Sequence, residues 1–459
     1  MFMQIFPKKD APLLKKVSKE PEIRLICLLI GYAYMFFRFN LPFLAMSANL
    51  VWHRKTLPNG LTVLLYPRQP ANTAQFSVGV KYGSNQEPKD QAGIAHFLEH
   101  MLAGGSDERI KLSRKVEDHG GILDFYTDRE QVLGTMDVIP EKLPEAALIL
   151  SELFFGDKFS TDKFEIERKI ILNELAEVQD DPAVKLEELL LENLFMKHPV
   201  RWPVGGYPKT VKKLTFEQLV EAHRINYVPE NMILVLSGDV SEDILDDTLD
   251  GFKDHYGKGK LANTKQPLEV GKPKPFVMEE KTGITQTYLS IGARTISSIY
   301  KDTPALDLIS TLLGGGTSSR LFIELREKHA VTYDVSASHC KGTDFGYFGI
   351  TCAVANRKFE KTQTLILKEL AKLWTKNISS EELERSKQIM LGGILRGMDN
   401  PHDSYEIITY MEMQFGNESA LKEYVNKIKA VTCNEIRETA TRYLNEDSLC
   451  TAILKPIKK

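Results

Sequence analysis

The stretch Ala95-His96-Phe97-Leu98-Glu99-His100-Met101 sits in a helical pattern that ends at Gly104-Gly105. On a helix, His96 and His100 are four residues apart, so both imidazoles leave the same face. Two imidazoles at that spacing can grip one zinc ion at about 2.0–2.1 Å. Glu99 projects to the same side without needing to be a ligand. A carboxylate there can take the proton from a water attacking a carbonyl and later deliver it to the leaving amine.

Catalytic zinc usually takes three protein ligands, so one more is needed. The helical pattern from about Thr161 to Asp180 offers Glu165, Glu167, Glu174 and Glu177. Glu167 and Glu174 are almost two turns apart and share a face. A solvated acidic stripe would look the same, and composition does not choose among the four. His119, His198, His223, His329 and His339 have no such pairing with a carboxylate and read as solvated or core histidines.

Outward from these helices the chain reads as two halves. Leu57 to Tyr66 carries the hairpin signal Asn59-Gly60, and a strand follows at Gln75 to Tyr82. Long helical patterns run from Pro140 to Asp180 and from Pro182 to Met196. The second half opens on an alternating strand, Thr287 to Ile291. A helix near Pro304 to Leu313 follows and ends in Gly314-Gly315-Gly316. Two more long helical patterns lie near Lys358 to Trp374 and Ser380 to Leu395. Strands mixed with helices, without strict alternation, predict an α+β fold of two related α/β domains, a diverged duplication. The expected division is an amino-terminal domain 50–256, a Lys-, Gly- and Pro-rich linker 257–275 and a carboxy-terminal domain 276–459. The Gly314 loop lacks the G-K-[ST] of a phosphate cradle, and a neighbouring peptide backbone is the better match.

The residues carry a family resemblance. H-x-x-E-H is the inverted zinc motif, and the chain resembles the pitrilysin/insulinase family, which includes the mitochondrial processing peptidases. In that family a second helix carries E-R, then five intervening residues, then the third ligand. Glu167-Arg168-Lys-Ile-Ile-Leu-Asn-Glu174 is similar. The resemblance therefore implies His96, His100 and Glu174 as ligands of one zinc per chain. Glu99 would be the base, and Glu167 a supporting carboxylate that orients a ligating imidazole. Tyr227 to Asp239, and Gly314 to Phe322 followed by Leu325-Arg326-Glu327 and Val331-Thr-Tyr333, extend the likeness. It implies that Arg326 and Tyr333 contact substrate near the scissile bond, as donors to its backbone and to the oxyanion. One departure stands out: where the family usually carries Asn-Ala, this chain has Asp124-Phe125. An ionised Asp accepts but does not donate, and Phe125 adds bulk beside the strand expected to pair with substrate.

The implied activity is zinc endopeptidase cleavage of peptides or unfolded segments inside a chamber between two bowl-like halves. The alternative is a non-catalytic peptide-binding or assembly subunit, but relatives of that kind have lost the ligands and His96, Glu99, His100 and Glu174 are all present. Family members of twice this length place the Arg/Tyr pair in the half opposite the zinc. A homodimer is therefore expected, with a heterodimer of two homologues as the other solution.

Composition agrees with a globular chain and limits the partners. The 459 residues are 42% hydrophobic and 26% charged, with a net charge of -3. No basic excess points to nucleic acid. Five cysteines form no C-x-x-C pair and read as free thiols. Residues 1–49 differ from the rest: basic residues from Lys8 to Arg24 precede apolar runs at Leu25–Phe37 and Leu41–Ala48, interrupted by Arg38. The segment reads either as an export or membrane signal or as sequence upstream of a start at Met46, which would leave a cytoplasmic protein.

Overall fold

A computed structural model describes residues 50–68, 71–240, 242–255, 267, 269 and 271–457. The amino-terminal segment 1–49 and most of the 257–275 stretch lie outside these residues. Trp52–Lys459 forms one compact unit.

Two sheets organise it. The first is built from β1 (His53–Thr56), β2 (Thr62–Pro67), β3 (Ala74–Val80), β4 (Ile122–Thr127), β5 (Val132–Val138) and β6 (Met232–Gly238), in the order β1-β2-β6-β3-β5-β4. The second contains β7 (Phe276–Lys281), β8 (Thr287–Arg294), β9 (Val335–Lys341), β10 (Gly346–Val354) and β11 (Leu449–Pro456), in the order β7-β11-β8-β10-β9. Strands β2 and β6 pair in parallel, as do β7 and β11, and every other pairing is antiparallel. Strands β2 to β6 thus repeat as β7 to β11. Two related α+β domains result, and the duplication is plainer in topology than in sequence. Asn59-Gly60 makes the expected turn, with Gly60 at φ 91° and Asn59 Nδ2 donating to the Phe252 carbonyl at 2.7 Å.

Helices α1 (Ile94–Gly104) and α2 (Asp107–Asp118) join β3 to β4. The pattern from Pro140 divides at Gly156 into α3 (Leu143–Phe155) and α4 (Thr161–Asp180). Next come α5 (Pro182–Leu194), α6 (Phe216–Asn226) and α7 (Glu242–Lys253). The second domain adds α8 (Thr303–Gly314), α9 (Phe359–Thr375), α10 (Ser380–Asp399), α11 (Pro401–Phe415), α12 (Ala420–Ala430) and α13 (Cys433–Tyr443). Residues Phe322–Lys328 form a π-helical segment that nothing in the sequence announced.

The 20-residue α4 and α10 occupy matching places, and each ends where an Asx-Pro pair starts the next helix. Asp181 caps α5 by accepting from the Ala183 amide at 2.7 Å, and Asn400 caps α11 by accepting from the His402 amide at 2.9 Å. Both of these helices cross over. Leu186, Leu189, Leu190 and Leu194 of α5 are buried against the second sheet, while α11 packs on β3 and β6 of the first. The two halves also meet at Glu130, which accepts from the Thr343 amide at 2.8 Å and from Gln414 Nε2 at 3.0 Å.

Candidate metal centre

Helix α1 is held at both ends by buried side chains that satisfy its terminal backbone groups. At its start, Glu87 accepts from the Gly93 and Ala95 amides, each at 2.8 Å. Burial pushes the Glu87 carboxyl up to about 8. At its end, Arg109 Nη1 donates to the Leu102 carbonyl at 2.9 Å and also reaches the Leu153 carbonyl of α3. Burial lowers this guanidinium to about 10. Between these anchors Phe97 stacks on Phe164 of α4 at 4.5 Å between ring centroids, which fixes the two helices against each other. Arg168 completes that contact: its guanidinium lies 4.6 Å from the Phe164 ring and donates to the Val211 and Leu214 carbonyls. The sequence had marked Arg168 only as part of a motif.

The imidazoles of His96 and His100 lie 4.8 Å apart between centroids, on one face of α1. From α4, Glu174 Oε1 lies 3.5 Å from His96 Nε2, and Oε2 lies 3.3 Å from His100 Nε2. Glu167 Oε2 is 3.1 Å from the other nitrogen of His100, Nδ1. Gly104 leaves room for that carboxylate, since a Cβ there would stand 2.4 Å from Glu167 Oε1. His96 lacks the matching support: its Nδ1 is buried with no hydrogen-bond partner among the described residues. Donor atoms of His96, Glu99 and His100 also fall within 4.8 Å of one another, so proximity alone admits Glu99 as a third ligand.

Two further observations separate the carboxylates. Neighbouring donors around a tetrahedral ion with bonds of about 2.0–2.1 Å stand roughly 3.3 Å apart, which is close to the Glu174 distances. Glu99, by contrast, has Oε2 engaged at 2.7 Å by the Thr127 hydroxyl of β4. The charges follow the contacts. Burial works to lower the His100 imidazole, but the hydrogen bond with Glu167 and the charges of Glu99 and Glu174 outweigh it, and its pKa is raised. Glu174 is held below the ordinary carboxylate range by His96 first, against its burial, and by His100. The residues present suit a zinc ion: two nitrogens, one carboxylate and a second carboxylate on the far side of one imidazole.

Arg326 and Tyr333 contact each other. The Arg326 guanidinium sits 4.3 Å from the Tyr333 ring centroid and 4.8 Å from that of Phe322. Tyr333 is 80% exposed. Among the described residues, neither shares a hydrogen bond, ion pair or ring contact with the histidines or with Glu99, Glu167 or Glu174. Ala330, between them, adopts φ 46°, a left-handed conformation uncommon outside glycine.

The Asp124-Phe125 departure is absorbed by the fold. Phe125 pairs across the ladder with Gly134, and its ring takes the space a side chain would fill there, packing toward Phe154 at 6.1 Å. Its bulk therefore goes into the core, while Asp124 on the opposite face is exposed.

Two sequence profiles match the chain. Residues 62–206 match the profile described as Insulinase (Peptidase family M16), and residues 213–390 match that of the Peptidase M16 inactive domain. The chain belongs to the M16 insulinase family. A Mycobacterium tuberculosis protein named "Uncharacterized zinc protease" is 28% identical to this M16 chain over 418 residues, covering 89% of it and 94% of the relative. The crystal structure of a protease from Helicobacter pylori superposes with a TM-score of 0.83 at 23% identity, over 88% of this chain and 99% of that one. A peptidase M16 inactive domain from Pseudomonas fluorescens gives 0.78 at 20%, over 89% and 98%. These two likenesses speak to the fold.

Proposed function

We propose that this M16 chain is a zinc endopeptidase acting on peptides and unfolded segments. The observation that carries the reading is the opposition of one Glu174 oxygen to each imidazole Nε2, with Glu167 behind His100 and Glu99 held apart by Thr127. His96, His100 and Glu174 would hold the ion. Zinc bound there would polarise the scissile carbonyl and lower the pKa of a water. Glu99 would take the proton from that water as it attacks and hand it to the leaving amine nitrogen. Asp124 and the rest of β4, an edge of the first sheet, would receive substrate as an added strand. Arg326 and Tyr333 would donate to the substrate backbone and the oxyanion, brought to the site by a second copy of the chain.

The test is peptide cleavage by the zinc-loaded wild type against Glu99→Gln. A second reading, a subunit that binds peptide without cutting it, takes its support from the inactive-domain profile over residues 213–390. Equal, negligible cleavage by both proteins would favour it.

Two expectations rank the carboxylates of α4. Glu174→Gln should lose most zinc affinity in competition with a chromophoric chelator, whereas Glu167→Gln should lose roughly 10–100-fold. The reverse order would mean that Glu167 is the ligand. Gly104→Ala should resemble Glu167→Gln, because its new Cβ drives the Glu167 carboxylate off His100. Wild-type affinity in Gly104→Ala would show that the carboxylate adapts without loss.

Substrate form gives another check. A strand-adding site needs an extended chain, so an unstructured peptide should be cut far faster than a stably folded protein with short loops. Equal rates would contradict a site that takes extended chain.

A further inference from the structure

Glu99 makes one hydrogen bond among the described residues, and it comes from a different element of the fold. The Thr127 hydroxyl is 2.7 Å from Glu99 Oε2. An ionised carboxylate only accepts, so the hydroxyl proton points at Glu99 and Thr127 is the donor. Oε2 thereby accepts one bond that fixes the carboxylate, whose remaining lone pairs stay open to a water. Thr127 is β-branched and few of its χ1 rotamers are open, so the donor is held firmly by the strand that carries it.

That strand is β4. It pairs with β5 on one side, with Thr127 opposite Val132, and its other side is the edge of the sheet. Leu123, Phe125 and Thr127 alternate onto the face that meets α1, while Asp124 and Tyr126 point the other way. Phe125 is fixed over Gly134, two residues before Thr127, which anchors this end of the strand to the core.

We infer that Thr127 is a positioning residue, by which the substrate-docking edge strand sets the orientation of the Glu99 carboxylate for proton transfer. The inference rests on the peptidase reading above. Its consequence is a defect in turnover and not in binding: the proposed ligands lie on α1 and α4, and among the described residues Thr127 shares no hydrogen bond with them. Misplacing a reacting group by about 1 Å can cost on the order of 100-fold in rate.

The experiment compares zinc-loaded wild type, Thr127→Val, Thr127→Ser and Glu99→Gln on one unstructured fluorogenic peptide, with zinc affinity measured separately by chelator competition. Thr127→Val keeps the shape and the strand preference and removes the donor. It should lower kcat roughly 10–100-fold, with KM and zinc affinity within about 3-fold of wild type. Thr127→Ser restores the donor and should recover kcat to within about 5-fold of wild type. Wild-type kcat in Thr127→Val beside a dead Glu99→Gln would overturn the role of Thr127 while leaving the peptidase reading intact. A parallel loss of zinc in Thr127→Val, or a Thr127→Ser as slow as Thr127→Val, would also overturn it by making the residue structural. Cleavage unaffected by Glu99→Gln would remove Glu99 from proton transfer and overturn this inference with it, whereas negligible cleavage by every one of the four proteins would overturn the peptidase reading.

Discussion

Glu99→Gln should retain its zinc and lose turnover by about 10²–10⁴-fold, the range that a positioned acid/base supplies. Both halves of that result matter, because proximity alone leaves two roles open to Glu99. Its carboxylate lies close enough to both imidazoles to be counted with them as a donor cluster. Were it a ligand, Gln would weaken metal binding, and zinc content and rate would fall together. The contacts argue for the base. One oxygen accepts from Thr127, whereas Glu174 turns one oxygen to each imidazole. Gln is isosteric and keeps an acceptor for the Thr127 hydroxyl, so the local fold is preserved while the proton acceptor is lost. Zinc content by elemental analysis and initial rates on an unstructured peptide decide the matter. Near-wild-type cleavage removes Glu99 from proton transfer, and loss of zinc moves it among the ligands.

What could be read in the sequence was what local geometry encodes. The pairing of His96 with His100 follows from helical spacing, and Asn59-Gly60 or Asp181-Pro182 mark boundaries by backbone chemistry alone. Glu174 was different. On α4, four glutamates satisfy any spacing argument, and only the family likeness selected one; the fold now separates Glu174, against two imidazoles, from Glu165, which pairs with Arg168 on the surface. The exchange of α5 and α11 was invisible for another reason. A leucine stripe at Leu186, Leu189, Leu190 and Leu194 says that a face is buried and nothing about which sheet buries it. Thr127 carried no local signal, because its contact with Glu99 exists only once β4 has docked on α1. Phe125 looked like an obstacle to substrate until the register placed it over Gly134, a pairing of strands that only the folded hairpin reveals.

A mixture of two individually dead variants, His96→Ala and Arg326→Ala, should recover roughly a quarter of wild-type activity after subunit exchange. Arg326 and Tyr333 stack on each other, with Tyr333 largely exposed, and among the described residues they share no contact with the histidines or with Glu174. Tyr333 and Arg326 carry several donors, and among the described residues no hydrogen bond engages those side chains. If a second copy supplies the zinc site they face, each two-fold dimer has two composite sites, each using the ligands of one chain and the Arg326/Tyr333 pair of the other. In a mixed dimer one site inherits both defects. The other joins the intact ligands of the Arg326→Ala chain to the intact Arg326 of the His96→Ala chain. With half of the dimers mixed and one sound site in each, the total is about a quarter. The control is exchange itself, followed by a size or affinity tag on one variant. No recovery despite demonstrated exchange would place Arg326 in the same chain's site through a rearrangement of the halves, and a fully active monomer would exclude sharing altogether.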